Sequence, residues 1–130
     1  MNLESPIVTV QKSSAYLFDA LGDIKNFEKL MPENIAKFEV IDENCFEFAL
    51  KGMPEIKLVK KSATPNTEVV LGAASSKLPF TLIAKLDEKA AEETNVQLFF
   101  EGDFNPMMAM MIKGPIGKFI ETLAQNMVKL

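Results

Sequence analysis

The side chains that could carry out acid–base or nucleophilic chemistry are few in this chain. The sequence contains no histidine and one cysteine, Cys45. Histidine is the usual general base near neutral pH and the commonest metal ligand, and a nucleophilic serine or cysteine normally needs it as a partner. The sequence therefore excludes Ser–His and Cys–His pairs and zinc sites. We assign no catalytic residue, no metal ligand and no cofactor.

Two polar side chains, Tyr16 and Lys60, are candidates for facing an apolar interior. Tyr16 is the only tyrosine, and its hydroxyl could meet a ligand or, as is more usual, stay in water at the edge of a helix. Lys60 has the same strand parity as Ile56 and Leu58, so its amine could act as an acid or a carboxylate anchor. It could equally lie beyond the edge of the core, because unpaired lysines are rarely buried.

A methionine cluster is the most distinctive local feature. Met107, Met108, Met110 and Met111 hold half of the chain's 8 methionines. Methionine is flexible and polarizable, and it is frequent on surfaces that accommodate varied apolar partners. The cluster indicates either the wall of an apolar pocket or gap-filling in an ordinary core.

These candidates must be positioned by the elements that precede them along the chain. Alternation of Val8 and Val10 with polar neighbours predicts a first strand over residues 7–11. Ser13 or Ser14 can then cap a short helix, since a serine hydroxyl accepts a bond from a free first-turn amide. A second short helix with apolar residues at spacings of three and four is predicted to end at Pro32.

From residue 35 to residue 101 the apolar residues recur with a period of two, and turn residues separate the runs. This pattern predicts six further strands joined by short turns. Short turns require antiparallel neighbours, so we expect a meander. The predicted inner face consists of Phe38, Val40, Phe46, Phe48, Leu50, Ile56, Leu58, Val69, Leu71, Leu78, Phe80, Leu82, Ala84, Leu86, Val96, Leu98 and Phe100.

The last segment is predicted to be one long amphipathic helix. Asn105 is suited to the cap, and Pro106 to the first helical position, where its missing N–H costs nothing. Proline inside a helix removes one backbone hydrogen bond and crowds the carbonyl four residues earlier, so we expect a kink at Gly114-Pro115. The predicted buried stripe comprises Met108, Met111, Ile112, Ile116, Phe119, Leu123, Met127 and Leu130.

This order of elements resembles the helix-grip fold of the START-like superfamily, also called SRPBCC, across essentially the whole chain. The resemblance is carried by three segments: Val8-Thr9-Val10-Gln11-Lys12-Ser13-Ser14-Ala15-Tyr16-Leu17-Phe18, Asn26-Phe27-Glu28-Lys29-Leu30-Met31-Pro32 and Phe100-Glu101-Gly102-Asp103-Phe104-Asn105-Pro106. It implies an α+β domain spanning residues 1–130. In that domain a seven-stranded curved antiparallel sheet has two short helices after strand 1, and a long C-terminal helix lies across its concave face. It also implies a cavity between sheet and helix, without implying a reaction.

The meander places several turns at one edge of the sheet. Residues 52–54, 75–79 and 102–105 should meet there, beside the start of the last helix. We therefore expect the ligand-binding residues to lie on the inner strand faces, in these turns and in the first half of that helix. They are Met31, Phe46, Phe48, Met53, Leu58, Leu71, Phe80, Leu82, Phe100, Phe104, Met107, Met108, Met111 and Ile112, with Tyr16 and Lys60 as polar cavity candidates.

Composition narrows the classes of function. The net charge is −4 and all 14 basic residues are lysines, so the arginine forks that favour phosphate and guanine recognition are missing and nucleic-acid binding is not expected. No apolar run approaches the ~20 residues that span a bilayer. We expect a cytoplasmic protein without stable membrane insertion, with a homodimer contact through Phe99 as a further hypothesis.

Three hypotheses for function remain open. The leading one is non-catalytic binding, or transport, of a small hydrophobic or amphipathic molecule in the cavity between sheet and helix. A cyclase- or dehydratase-like enzyme of the polyketide type, using Tyr16 and Lys60, is the second. A protein–protein interaction module with a filled core is the third.

Overall fold

The computed structural model describes residues 1–52, 55–73 and 80–130. Its elements in chain order are β1 (Asn2–Glu4), β2 (Val8–Val10), α1 (Ser14–Gly22), a 3-10 helix (Ile24–Leu30), β3 (Ile35–Asp42), β4 (Cys45–Leu50), β5 (Ile56–Thr64), β6 (Glu68–Ala73), β7 (Phe80–Ala90), β8 (Glu93–Gly102), α2 (Pro106–Asn126) and a final 3-10 turn (Met127–Lys129).

The strands form one antiparallel sheet in the order β1-β8-β7-β6-β5-β4-β3, with β2 also paired to β8. The predicted meander is therefore confirmed. The first strand is longer than predicted and is divided into β1 and β2, which follow one another along β8. Between them the Ser5 amide donates to the Leu98 carbonyl at 2.9 Å, and Pro6 lacks an N–H to donate. Eight strand segments thus fill seven positions across the sheet.

Alternation places the large apolar side chains on the face that α2 covers. Phe46, Phe48, Leu58 and Leu98 are fully buried in one hydrophobic cluster with residues of α2. Val40 is an exception, since it was predicted on the inner face and is 37% exposed. β3 is an edge strand of the sheet, so Val40 has a neighbouring strand on one side only.

The helix caps follow the sequence prediction. The Ser13 side chain accepts a hydrogen bond from the Tyr16 amide at the start of α1. Asn105 Oδ1 accepts from the Met108 amide at 2.8 Å, with Pro106 in the first turn of α2. Each cap satisfies an amide that has no partner within the helix, which fixes where the helix begins.

The second half of α2 anchors the helix to the rest of the fold. Buried residues in α2 begin at Ile116, and the Phe119 ring stacks on Phe48 with centroids 4.9 Å apart. Asn126 Nδ2 donates to the Leu30 carbonyl at the end of the 3-10 helix at 2.9 Å. The helix continues through Pro115, and the kink there stays a prediction. Within the described ranges, no helix is long and apolar enough to span a membrane.

Candidate functional site

Between the sheet and the second half of α2, the described side chains pack closely. A small apolar cavity of about 10 Å³ lies among them, lined by Phe27, Leu30, Val69, Leu71, Leu82, Ala84, Leu98, Leu123 and Met127. A water molecule needs roughly 10–15 Å³. This cavity therefore cannot hold an organic ligand without movement of its walls. Leu71 and Leu82 are the two predicted site residues that line it.

The predicted aromatic residues pack against one another in the described part of the chain. The Phe46 ring lies 5.2 Å from Phe27 and 6.1 Å from Phe48. A second row follows β7 and β8, where Phe100 stacks with Phe80 at 5.1 Å and with Phe104 at 6.1 Å. Such contacts are worth about 0.5–1.5 kcal/mol beyond area burial. These rings stabilise the core in this structure, and their contact with a ligand stays a prediction.

The methionine cluster of α2 is divided between two faces of the helix. Met107, Met110 and Met111 are exposed by 75%, 83% and 67%, while Met108 is half-buried. The prediction that Met111 belongs to the buried stripe is wrong. Met111 precedes Ile116 by five residues, which is about 140° around an ideal helix. Ile112 is one turn before Ile116 and packs against the core.

A groove of about 950 Å³ runs between α2 on one side and residues 31–34 and the end of β4 on the other. Its apolar floor includes Leu50 and Phe119, which belong to the core, and the predicted site residue Met31. The groove reaches α2 at Gly114 and Pro115, where no large side chain fills the space. The remaining lining residues are mostly polar: Pro32, Glu33, Asn34, Lys51, Gly52, Lys118, Thr122, Asn126 and Lys129.

Two hydrogen bonds hold the walls of this groove in place. The Lys51 amide donates to the Asn34 carbonyl at 3.0 Å, which joins the end of β4 to the segment before β3. The Asn126–Leu30 bond fixes the opposite end. Sequence reasoning assigned Met31 to the site and missed Lys51, Lys118 and Lys129. Lys118 and Lys129 are eleven residues apart, which is about three helical turns. This spacing is the one signal in the sequence that could have indicated that they share a face.

The two polar cavity candidates lie outside this groove. Lys60 is half-buried, and its Nζ donates to the Gly22 carbonyl at 3.0 Å, so it satisfies a free carbonyl at the end of α1. Tyr16 is 49% exposed, and the Lys12 amine lies 4.9 Å from its ring centroid. Lys60 is paired with Leu71, a predicted site residue, across β5 and β6, so a cavity role for Lys60 stays a prediction.

The perturbed titratable groups lie on strands of the sheet, away from the groove. The hydrogen bond from Lys37 holds the pKa of Glu47 below its usual range, and the same bond raises the pKa of Lys37. Burial raises the pKa of the Cys45 thiol, which keeps it in the unreactive protonated form. Among the residues that the structure describes, no three Cys, Asp or Glu side chains are grouped closely enough to hold a metal ion.

Part of the predicted site lies outside the described residues. This applies to Met53, to Leu78 and to the turn over residues 75–79. The predicted meeting of the turns at one sheet edge is therefore described only through Gly102, Phe104 and Asn105. There, the ring of Phe104 lies so close to Gly102 that a side chain at Gly102 would collide with it.

Solved structures share this fold. A START superfamily protein from Mycobacterium smegmatis superposes with a TM-score of 0.75 at 12% identity, covering 98% of this chain and 94% of that one. A norcoclaurine synthase point mutant from Thalictrum, bound to a transition-state analogue, gives 0.73 at 9% identity, covering 99% and 94%. A protein from Thermus thermophilus gives 0.76 at 8% identity, covering 99% and 95%.

No protein-family model matches the sequence, and no curated protein matches it. The structural likeness therefore establishes the fold. The chain has the START-like helix-grip fold, an antiparallel curved sheet crossed by a long C-terminal helix, as the sequence resemblance predicted.

Proposed function

We propose that this chain binds a small apolar or amphipathic molecule in the groove between α2 and the wall formed by residues 31–34 and the end of β4. The observation that carries the proposal is the size and floor of that groove. Its volume of about 950 Å³ lies at the upper end of the ~300–1,000 Å³ usual for ligand pockets. Core residues Leu50 and Phe119 form part of its floor, so an apolar ligand would be in contact with the hydrophobic core.

The helix-grip fold supports the same proposal. Phe48, one of the predicted residues on the inner sheet face, lies directly behind the groove floor, since its ring stacks on Phe119. A ligand longer than the groove would have to separate such pairs to extend inward. We therefore assign the primary contacts to Met31, Leu50 and Phe119, and deeper contacts to the predicted inner-face residues.

A second candidate function rests on the exposed methionines. Met107, Met110 and Met111 form an apolar surface on the first half of α2. An exposed apolar face is typical of an interaction surface, and a second copy of this chain is the partner that we consider. The enzyme hypothesis receives no comparable support, because Tyr16 and Lys60 do not line the groove.

Native mass spectrometry of freshly purified protein separates these functions. A bound apolar molecule, seen as extra mass on a monomer that organic extraction removes, supports ligand binding. A dimer without extra mass supports the second candidate. Uptake of the neutral apolar dye N-phenyl-1-naphthylamine by the stripped protein then measures binding directly.

A matched pair of substitutions tests the location. Met31→Gln places an amide on the groove floor with little change in shape, and we expect it to weaken dye binding about three- to tenfold, the effect of leaving about 1 kcal/mol of polar desolvation uncompensated. Met110→Gln makes the same change at an exposed methionine outside the groove. Equal effects of the two substitutions, or no dye uptake by the parent protein, would rule out binding at this groove.

A further inference from the structure

The rim of the groove carries a charge opposite to that of the whole chain. Three lysines, Lys51, Lys118 and Lys129, line the groove together with one acid, Glu33, which gives these groups a net charge of +2. The whole chain carries −4. All four side chains are exposed, so the positive charge faces the solvent from which a ligand would arrive.

The rim lysines are not engaged by protein carboxylates in the described part of the chain. The salt bridges there use Lys37, Lys57 and Lys89. Lys118 of α2 and Lys129 of the 3-10 turn that continues it are about 16 Å apart along the helix axis, and Lys51 stands on the opposite wall. The charge is therefore spread along the groove rather than focused on one point, and a headgroup anywhere along the rim meets a positive potential.

The floor and the rim impose different requirements on one ligand. The floor of Met31, Leu50 and Phe119 favours an apolar body, and the rim favours a negative end that stays in water. We propose that the groove selects amphiphiles whose polar end is anionic, a carboxylate or a phosphate, over neutral or cationic amphiphiles with the same apolar body. This inference rests on the proposed binding function and names the class of ligand.

The expected selectivity is modest because the lysines are exposed. A solvent-exposed ion pair changes an equilibrium by up to about fivefold. We expect dodecanoate and dodecyl phosphate to displace N-phenyl-1-naphthylamine at concentrations about five- to tenfold lower than 1-dodecanol, with dodecyltrimethylammonium weakest. Raising the salt concentration should reduce the preference, because salt screens surface charges. A tighter hold on dodecyl phosphate than on dodecanoate would assign the headgroup as phosphate.

Substitution of the rim lysines tests the inference. Lys51→Gln, Lys118→Gln and Lys129→Gln should each weaken dodecanoate binding about twofold and leave dodecanol binding unchanged. Lys113→Gln is the matched control, since Lys113 is exposed on α2 and does not line the groove. Dodecanol binding as tightly as dodecanoate, or an equal effect of the Lys113 control, would overturn the inference while the binding function stands. Failure of every amphiphile and of the dye would overturn both.

Discussion

Glu47 is the residue whose environment gives the clearest pH dependence. Its carboxylate accepts a hydrogen bond from Lys37 at 2.7 Å, and that bond lowers its pKa. A group whose pKa is lower in the folded state stabilises the fold above its unfolded pKa, about 4.3 for glutamate. That stabilisation is lost as the pH falls through the lower, folded value.

We therefore expect Glu47→Gln to be less stable than the parent protein at pH 7 and nearly as stable at acidic pH, below the lowered folded pKa of Glu47. Urea unfolding of both proteins across this range measures the difference. Glu28→Gln, at an exposed position, controls for the general loss of one negative charge. A stability gap for Glu47→Gln that persists unchanged at low pH would show that the Lys37 contact is not its source.

At the scale of single elements, two glycines should respond to alanine in opposite directions. Gly117 lies inside α2, and an added Cβ there meets no atom of a neighbouring element within 4 Å. Because glycine in a helix costs about 0.5–1 kcal/mol relative to alanine, Gly117→Ala should raise the free energy of unfolding by that amount. Gly52 has a φ of +80°, where a side chain is strained, so Gly52→Ala should lower it by about 1 kcal/mol. Thermal or urea unfolding measures both changes. If both substitutions change the free energy of unfolding in the same direction, this conformational account is wrong.

Element order was predictable because each element carries a local signal. The caps at Ser13 and Asn105 and the alternation through β4 to β8 are local properties of the chain, and the structure follows them. β1 was missed because it spans three residues, Asn2–Glu4, too few to display a period. Met111 was misplaced because apolar residue type does not reveal which of two neighbouring helical positions faces the sheet.

The candidate site was less predictable because it depends on distances between remote segments. Met31 was found through its apolar type, but the groove also uses Lys51 and Lys118, and lysines read singly indicate only a solvated surface. The close packing of the described core rings was equally beyond reach, since it depends on how side chains such as Phe46 and Phe48 interlock. Residue type indicated which faces of the strands and of α2 are buried, but the packing of the side chains determines the volume between those faces.

At the scale of the whole molecule, α2 is attached along one half of its length. The buried residues run from Ile116 to Ala124, and the Asn126 side chain ties the far end to the 3-10 helix. Pro115 stands at the boundary and has no amide hydrogen. Amide exchange with deuterium reports the free energy of local opening, segment by segment.

We accordingly expect deuterium to enter the backbone of residues 110–114 well before that of residues 118–124. A saturating amphiphile should slow uptake around Gly114 more than around Leu123. Uniform uptake along α2 would mean that its exposed half is held as firmly as its buried half. With the expected gradient, the second half of α2 would be a rigid wall for ligand recognition, and its first half would open more easily and let a ligand enter.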